Sequence, residues 1–189
     1  SKMTALKTLV LGRCDLKILS HDLTNLSNLT VLNVSDNPFE CVPSTISKMT
    51  ALKTLVLSTC LLETLLDDLT MLINLTTFNV SANPFEHVPS VISEMTSLIT
   101  LDLSATRLKK LPHGLTNLTN LTMLDVKDND FEHVPSAIFK MTSLRSLNLD
   151  RCKIMGLSSK LANLKNLTDF SSKDNRMNER RYRYFEDFN

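Results

Sequence analysis

Leu29-Thr-Val-Leu32-Asn-Val34-Ser-Asp-Asn37-Pro-Phe39 and Leu98-Ile-Thr-Leu101-Asp-Leu103-Ser-Ala-Thr106-Arg-Leu108 spell the same phrase. Leucine stands at the first and fourth places, Leu or Val at the sixth, a small polar side chain at the ninth and an apolar one at the eleventh. The phrase returns every 23 residues without an insertion, opening at Leu6, Leu29, Leu52, Leu75, Leu98, Leu121, Leu144 and Leu167. Within it the side chains alternate: Leu9 and Leu11 fall on one face of a short strand, while Thr8, Val10 and Gly12 fall on the other. The rest of each period, as in Val42-Pro43-x-x-Ile46-x-x-Met49 and Leu111-Pro112-x-x-Leu115-x-x-Leu118, has apolar residues three or four apart, the spacing of short 3₁₀ or α-helical turns. One strand and one turn per period cannot bury a hydrophobic face alone. Such units stack on their neighbours, and a continuous core results.

With its phrase L-x-x-L-x-L-x-x-N/C-x-L, the chain resembles the leucine-rich repeat family over about nine-tenths of its length. The resemblance implies an α/β solenoid, a horseshoe with a parallel concave β-sheet and short 3₁₀ or α-helical turns on the convex side. The Leu-Pro and Val-Pro pairs are similar to those of the intracellular 23-residue class found in Ras-pathway scaffolds, polarity scaffolds and repeat-bearing GTPase proteins. Pro is absent after Leu19, Leu65 and Leu157. Those relatives bind proteins, and a non-catalytic recognition role is what the resemblance implies.

A second period overlies the first. Met3-Thr-Ala-Leu6, Met49-Thr-Ala-Leu52, Met95-Thr-Ser-Leu98 and Met141-Thr-Ser-Leu144 mark four copies of a 46-residue pair. Residues 1–177 are expected to form an array of eight repeats. Ser1-Lys2-Met3 matches Ser47-Lys48-Met49, so the chain reads as starting partway through a repeat, as an excised piece of a longer protein would. At the other end the eighth repeat decays, with Ser172 at an inward place and Met177 where Phe recurs; residues 178–189, which carry Tyr182, Tyr184, Phe185 and Phe188, read as an aromatic and charged closing segment.

Composition narrows the function. A chain of 189 residues that is 42% hydrophobic and 22% charged, with net charge +1, is of ordinary globular type. Arg180, Arg181 and Arg183 are too local a cluster for the basic stripe that nucleic acid requires, and no apolar run reaches the ~18–20 residues that span a bilayer. Cys14, Cys60 and Cys152 share the ninth place of odd repeats. Parallel strands ~4.8 Å apart leave equivalent sites two repeats apart beyond the ~4.4–6.8 Å that a disulfide tolerates. These thiols are expected to be free and buried, with Cys41 unpaired on the opposite side, which favours a reducing, cytoplasmic setting. Eight N-x-S/T sequons, at Asn25, Asn28, Asn33, Asn74, Asn79, Asn117, Asn120 and Asn166, point toward an extracellular setting, but most are by-products of the repeated T-N-L-T-N-L phrase.

No nucleophile elbow, zinc-protease helix, C-x-x-C pair or phosphate loop occurs, so neither an enzyme nor a bound cofactor or metal is expected. His87, His133 and Cys41 share one register and His21 and His113 another, but equivalents two repeats apart cannot share a zinc. They read as solvated side chains. Asn37, Asn83, Asn129 and Asn175 read as a buried ladder that satisfies the turn after each even strand.

Two surfaces are candidates for binding another protein. On the concave face, Asp102, Asp125, Asp128, Asp150, Asp169 and Asp174 outnumber Lys127, Arg151 and Lys173, so with Asn148 this half fits a basic protein surface; a merely solvated face is the alternative. In repeat three, Leu61, Leu66, Met71 and Ile73 replace polar residues of the other odd repeats, and exposed apolar surface marks interfaces, a homodimer among them. The expected function is a recognition fragment of a larger scaffold or signalling protein. Innate-immune or extracellular ligand recognition is the alternative, and a regulatory segment of a larger GTPase or signalling enzyme is a third.

Overall fold

The computed structural model describes residues 3–177, so the closing segment read over 178–189 lies outside the described residues. Among them, eight three-residue strands form one parallel sheet in chain order: β1 Thr8–Val10, β2 Val31–Asn33, β3 Thr54–Val56, β4 Thr77–Asn79, β5 Thr100–Asp102, β6 Met123–Asp125, β7 Ser146–Asn148 and β8 Asp169–Ser171. Every pair joins residues 23 positions apart, as in Leu9↔Leu32 and Phe78↔Leu101. This is the solenoid that the repeat predicts.

The returning segments are 3₁₀ rather than α. They include His21–Asn25, Asp67–Met71, Ser90–Glu94, His113–Asn117 and Ser159–Asn163. The reason is visible in the leucines. Leu26 N–H donates to Leu23 O and Leu29 N–H to Leu26 O, each at 3.0 Å, so every bond closes over the three-residue spacing of the apolar side chains. With 3.0 residues per turn, i and i+3 share a face, and that face turns to the core, half-buried at Leu23 and Leu26 and fully buried at Leu115 and Leu118.

The core runs through the array as one cluster, with Leu32, Leu55, Phe78 and Leu101 at 0% exposure. Burying each such side chain is worth about 1.5–3 kcal/mol. Leu6, Leu9 and Leu11 of the first repeat are only partly buried, because among the described residues a repeat packs on one side of them alone.

Where each strand ends, the backbone turns through the left-handed region once per repeat, at Arg13, Asp36, Thr59, Ala82, Ala105, Asp128, Arg151 and Asp174, with φ between 52° and 59°. None is glycine, so each turn carries about 1–2 kcal/mol of steric cost that the surrounding ladder must outweigh. Odd repeats add a second such residue at Asp15, Leu61, Arg107 and Lys153. The 46-residue alternation therefore has a backbone counterpart, to which Glu40 of repeat two is an exception.

The buried asparagines hold these turns. The Asn83 oxygen accepts from the N–H groups of Cys60 and Leu62 at 2.9 and 3.0 Å, and its nitrogen donates to Leu57 O, Val80 O and Ser81 O. Asn37 and the half-buried Asn175 repeat the arrangement, and Asn129 does so with the Thr106 hydroxyl in place of one backbone N–H. In odd repeats the small side chain takes a lesser part, Cys60 Sγ–H reaching Val34 O at 3.4 Å and Thr106 Oγ1 reaching Leu103 O at 2.7 Å.

All four cysteines are free. Cys60 and Cys152 are buried as expected, and burial pushes the Cys152 thiol up to about 11. Cys14 departs from the expectation and is exposed. Its equivalents lie against a carbonyl of the preceding repeat, Val34 O or Val126 O, whereas among the described residues Cys14 Sγ reaches only Gly12 O in its own turn.

Candidate functional site

The open face of the sheet is built from the last residue of each strand and the turn that follows. In five strands that last residue is Asn or Asp, and its side-chain oxygen accepts the backbone N–H two residues on: Asn33 from Ser35, Asn79 from Ser81, Asp102 from Ser104, Asp125 from Lys127 and Asn148 from Asp150, all at 2.9–3.0 Å. Either side chain performs this capping, because only the oxygen is used. The charge on Asp102 and Asp125 is therefore not required by the turn.

Those two carboxylates face each other across β5 and β6. Amides flank them: Asn79 Nδ2 donates to Asp102 Oδ2 at 3.0 Å, and Asn148 Nδ2 donates to Asp125 Oδ2 at 3.3 Å. The row thus reads Asn-Asp-Asp-Asn over four neighbouring strands. Burial raises the Asp125 pKa, the Lys127 N–H bond opposes the rise, and the charge of Asp102 adds to it. Lys127 Nζ stands 3.8 Å away, too loosely placed to cancel the repulsion.

Asp125→Asn follows as a stability test. Because the folded pKa is raised, the native state binds this proton more tightly than the unfolded chain does. Stability is lost as pH rises from the ordinary carboxylate range through the raised value. Asn keeps the turn bond, as Asn148 does at the same register. The variant is expected to be more stable at pH 7 by about 0.5 kcal/mol, with the gain vanishing near pH 3.5. Thermal unfolding at the two pH values measures it; an equal gain at both would place the effect outside the ionised pair.

The remaining candidates are gathered on the same strands but are not all free. Arg151 clasps Asp128 through two hydrogen bonds, Nε to Oδ1 at 2.5 Å and Nη2 to Oδ2 at 2.7 Å, and so holds that carboxyl below its ordinary value. Asp150 Oδ1 accepts from Ser171 Oγ and from Lys173 N–H, both at 2.6 Å. Lys153 pairs with Asp130 at 2.5 Å just beyond the face. Asp102, Asp125, Lys127, Asp128, Asn148, Asp150 and Arg151 thus lie together on β5, β6, β7 and their turns, with Asp102 and Asp125 as the least compensated charge. The Asp128–Arg151 pair was readable from sequence, since the two are one period apart.

Leu61, Leu66, Met71 and Ile73 are exposed at 53%, 37%, 51% and 73%. Leu61 and Leu66 precede the helix Asp67–Met71, Met71 ends it and Ile73 follows it. They are spread along the path of one repeat, between β3 and β4.

A second asparagine series escaped the sequence reading. Asn28, Asn74, Asn120 and Asn166, counted there among the sequons, each donate Nδ2 to a threonine carbonyl of the preceding repeat, Thr4, Thr50, Thr96 and Thr142, at 2.6–3.0 Å. Their recurrence every 46 residues was the available signal. All four histidines are exposed. Among the described residues, no three His, Cys, Asp or Glu side chains gather as a metal site, and no helix is long and apolar enough to cross a membrane.

Comparison with known proteins agrees with this architecture. A family model described as leucine-rich repeat region matches residues 86–182, just over half the chain, and a leucine rich repeat model matches residues 28–49. No curated protein matches. Among solved structures, an internalin of Listeria monocytogenes is 24% identical with a TM-score of 0.78 over 95% of this chain and 51% of its own. Internalin C2 of the same organism is 24% identical, TM-score 0.73, over 90% of this chain and 82% of its own. A plant peptide hormone receptor in complex with RGF2 is 21% identical, TM-score 0.66, over 91% of this chain and 29% of the receptor. This chain spans about half the length of the first internalin, and at these identities the likeness is one of fold. Repeat phrase, sheet register and family match together establish that the chain belongs to the leucine-rich repeat family.

Proposed function

We propose that this chain is a non-catalytic protein-recognition module, and that its partner docks on the open face of the sheet around Asp102 and Asp125. The observation that carries the reading is the pair itself. The turn bonds need only an oxygen, and Asn supplies it at three other strands, so the two facing charges repel one another without being required by the turns. A lysine or arginine from a partner relieves that repulsion. The solenoid presents the face preformed, so binding avoids much ordering cost, and complementary charge contributes steering and specificity. The plant receptor neighbour, whose structure holds RGF2, is a repeat array engaged with a ligand. A place within a larger scaffold or signalling protein is the context we favour. Four free cysteines, two of them buried, support a reducing, cytoplasmic setting for it.

The test uses Asp102→Asn with Asp125→Asn, which removes the charge and keeps the turn bonds. A displayed protein library is selected on the parent chain and counter-screened on the variant. Clones enriched in Lys and Arg that lose about ten-fold or more in affinity on the variant support the reading. Clones that bind both equally well would move recognition off this face.

A further inference from the structure

The arm that carries the chain from β4 to its helix, residues 84–89, differs from its equivalents one repeat pair away. In repeat two, Glu40 N–H donates to Cys60 O at 3.3 Å. In repeat six, Asp130 N–H donates to Leu108 O at 2.8 Å, Met155 N–H donates to Glu132 O at 3.1 Å, and Lys153 pairs with Asp130. Each of those arms is thus tied to a neighbour. Among the described residues, no hydrogen bond or ion pair ties the arm of repeat four to the arms of repeats three and five. Pro84 accounts for part of this, since it stands where Asp130 stands and offers neither an N–H nor a carboxylate.

The untied arms leave an open groove of about 1100 Å³. Its floor is the 84–89 segment, where Phe85 and Val88 are buried while Glu86 and His87 are exposed, their backbone N–H and C=O groups making no bond among the described residues. Its walls differ in sign. Glu63 lies on the repeat-three side, and Arg107 and Lys109 lie on the repeat-five side, all exposed, while Asp130 beyond them is already paired with Lys153.

We propose that this groove receives an extended segment of a partner protein in which basic and acidic side chains alternate. An extended strand sends successive side chains to opposite sides. A segment lying along the floor therefore directs one set to the Glu63 wall and the next to the Arg107 and Lys109 wall. Its main chain finds donors and acceptors at Glu86 and His87, as in strand addition to an open edge. The groove is separate from the open face of the sheet and does not depend on recognition there.

The probe is an acetylated octapeptide of alternating Lys and Glu, compared with its isomer of four Lys followed by four Glu. Titrated into the ¹⁵N-labelled chain, the alternating peptide is expected to shift the amide signals of Glu86 and His87 and to bind about ten-fold more tightly than the block isomer. Glu63→Lys alone, or Arg107→Glu with Lys109→Glu, weakens that binding, and the three together restore it, because the walls then exchange sign. Equal binding of the two isomers, shifts confined to β4–β7, absence of shifts, or indifference to Glu63→Lys overturns the proposal.

Discussion

Asn83→Ala is expected to lower the unfolding free energy by about 4 kcal/mol, from the ~1–3 kcal/mol that each stranded buried polar group costs. The alanine withdraws one acceptor from two turn N–H groups, Cys60 and Leu62, and one nitrogen from three carbonyls. Asn83 is 2% exposed, so water does not replace those bonds without opening the turn. The left-handed residue Thr59, held between β3 and this ladder, then loses what keeps it there. Asn83→Asp separates the roles: it keeps the acceptor, loses the donor and adds a buried charge, so it is expected to be no better than Ala at pH 7. Asn33→Ala is the control. That asparagine serves a single turn N–H at the edge of the open face, and its loss is expected to cost about 1 kcal/mol. Urea unfolding of the three variants checks the order; equal losses for Asn83→Ala and Asn33→Ala would remove the ladder from its structural role.

What the sequence made legible and what it concealed divide along a physical line. Spacing determines which side chains can be neighbours, so Leu32, Leu55 and Leu101 were readable as one inward column, and Asn37, Asn83, Asn129 and Asn175 as one ladder. The identity of the returning turn was open between 3₁₀ and α, because apolar residues three and four apart suit both. It was decided by hydrogen bonds that close over three residues, Leu26 to Leu23 and Leu29 to Leu26. Counting charges on the open face gave six acids to three bases without showing which of them are engaged. Counting does not see that Arg151 lies one period from Asp128 and clasps it, or that Asp150 is engaged by Ser171 and Lys173. Applied to side chains as it was to leucines, the same 23-residue arithmetic would have placed these pairs. Asn28, Asn74, Asn120 and Asn166 were hidden differently. The sequon is a motif of three adjacent residues, whereas the partner of each asparagine is a carbonyl 24 positions back. Likewise the groove of repeat four arises from bonds that fail to form, which only the comparison of one arm with its equivalents brings out.

Phe78→Ala is expected to cost a further large amount, about 4 kcal/mol, from the cavity that a truncated core aromatic leaves. Phe78 is fully buried at the centre of β4 and pairs in register with Leu55 and Leu101. Phe78→Leu, which restores the residue of the neighbouring strands, is expected to cost under about 1.5 kcal/mol. More informative than the size of the loss is its distribution. In a solenoid each repeat contacts only its neighbours, so stability is approximately a sum of repeat terms and interface terms. A cavity in the fourth repeat weakens the two interfaces that join the first three repeats to the last four. Amide exchange followed by mass spectrometry is therefore expected to show protection falling first in β3, β4 and β5, while β7 stays protected, and denaturant unfolding is expected to broaden or split. Uniform loss of protection from β1 to β8 would mean that the array unfolds as one cooperative unit, and the nearest-neighbour description would not hold for this chain.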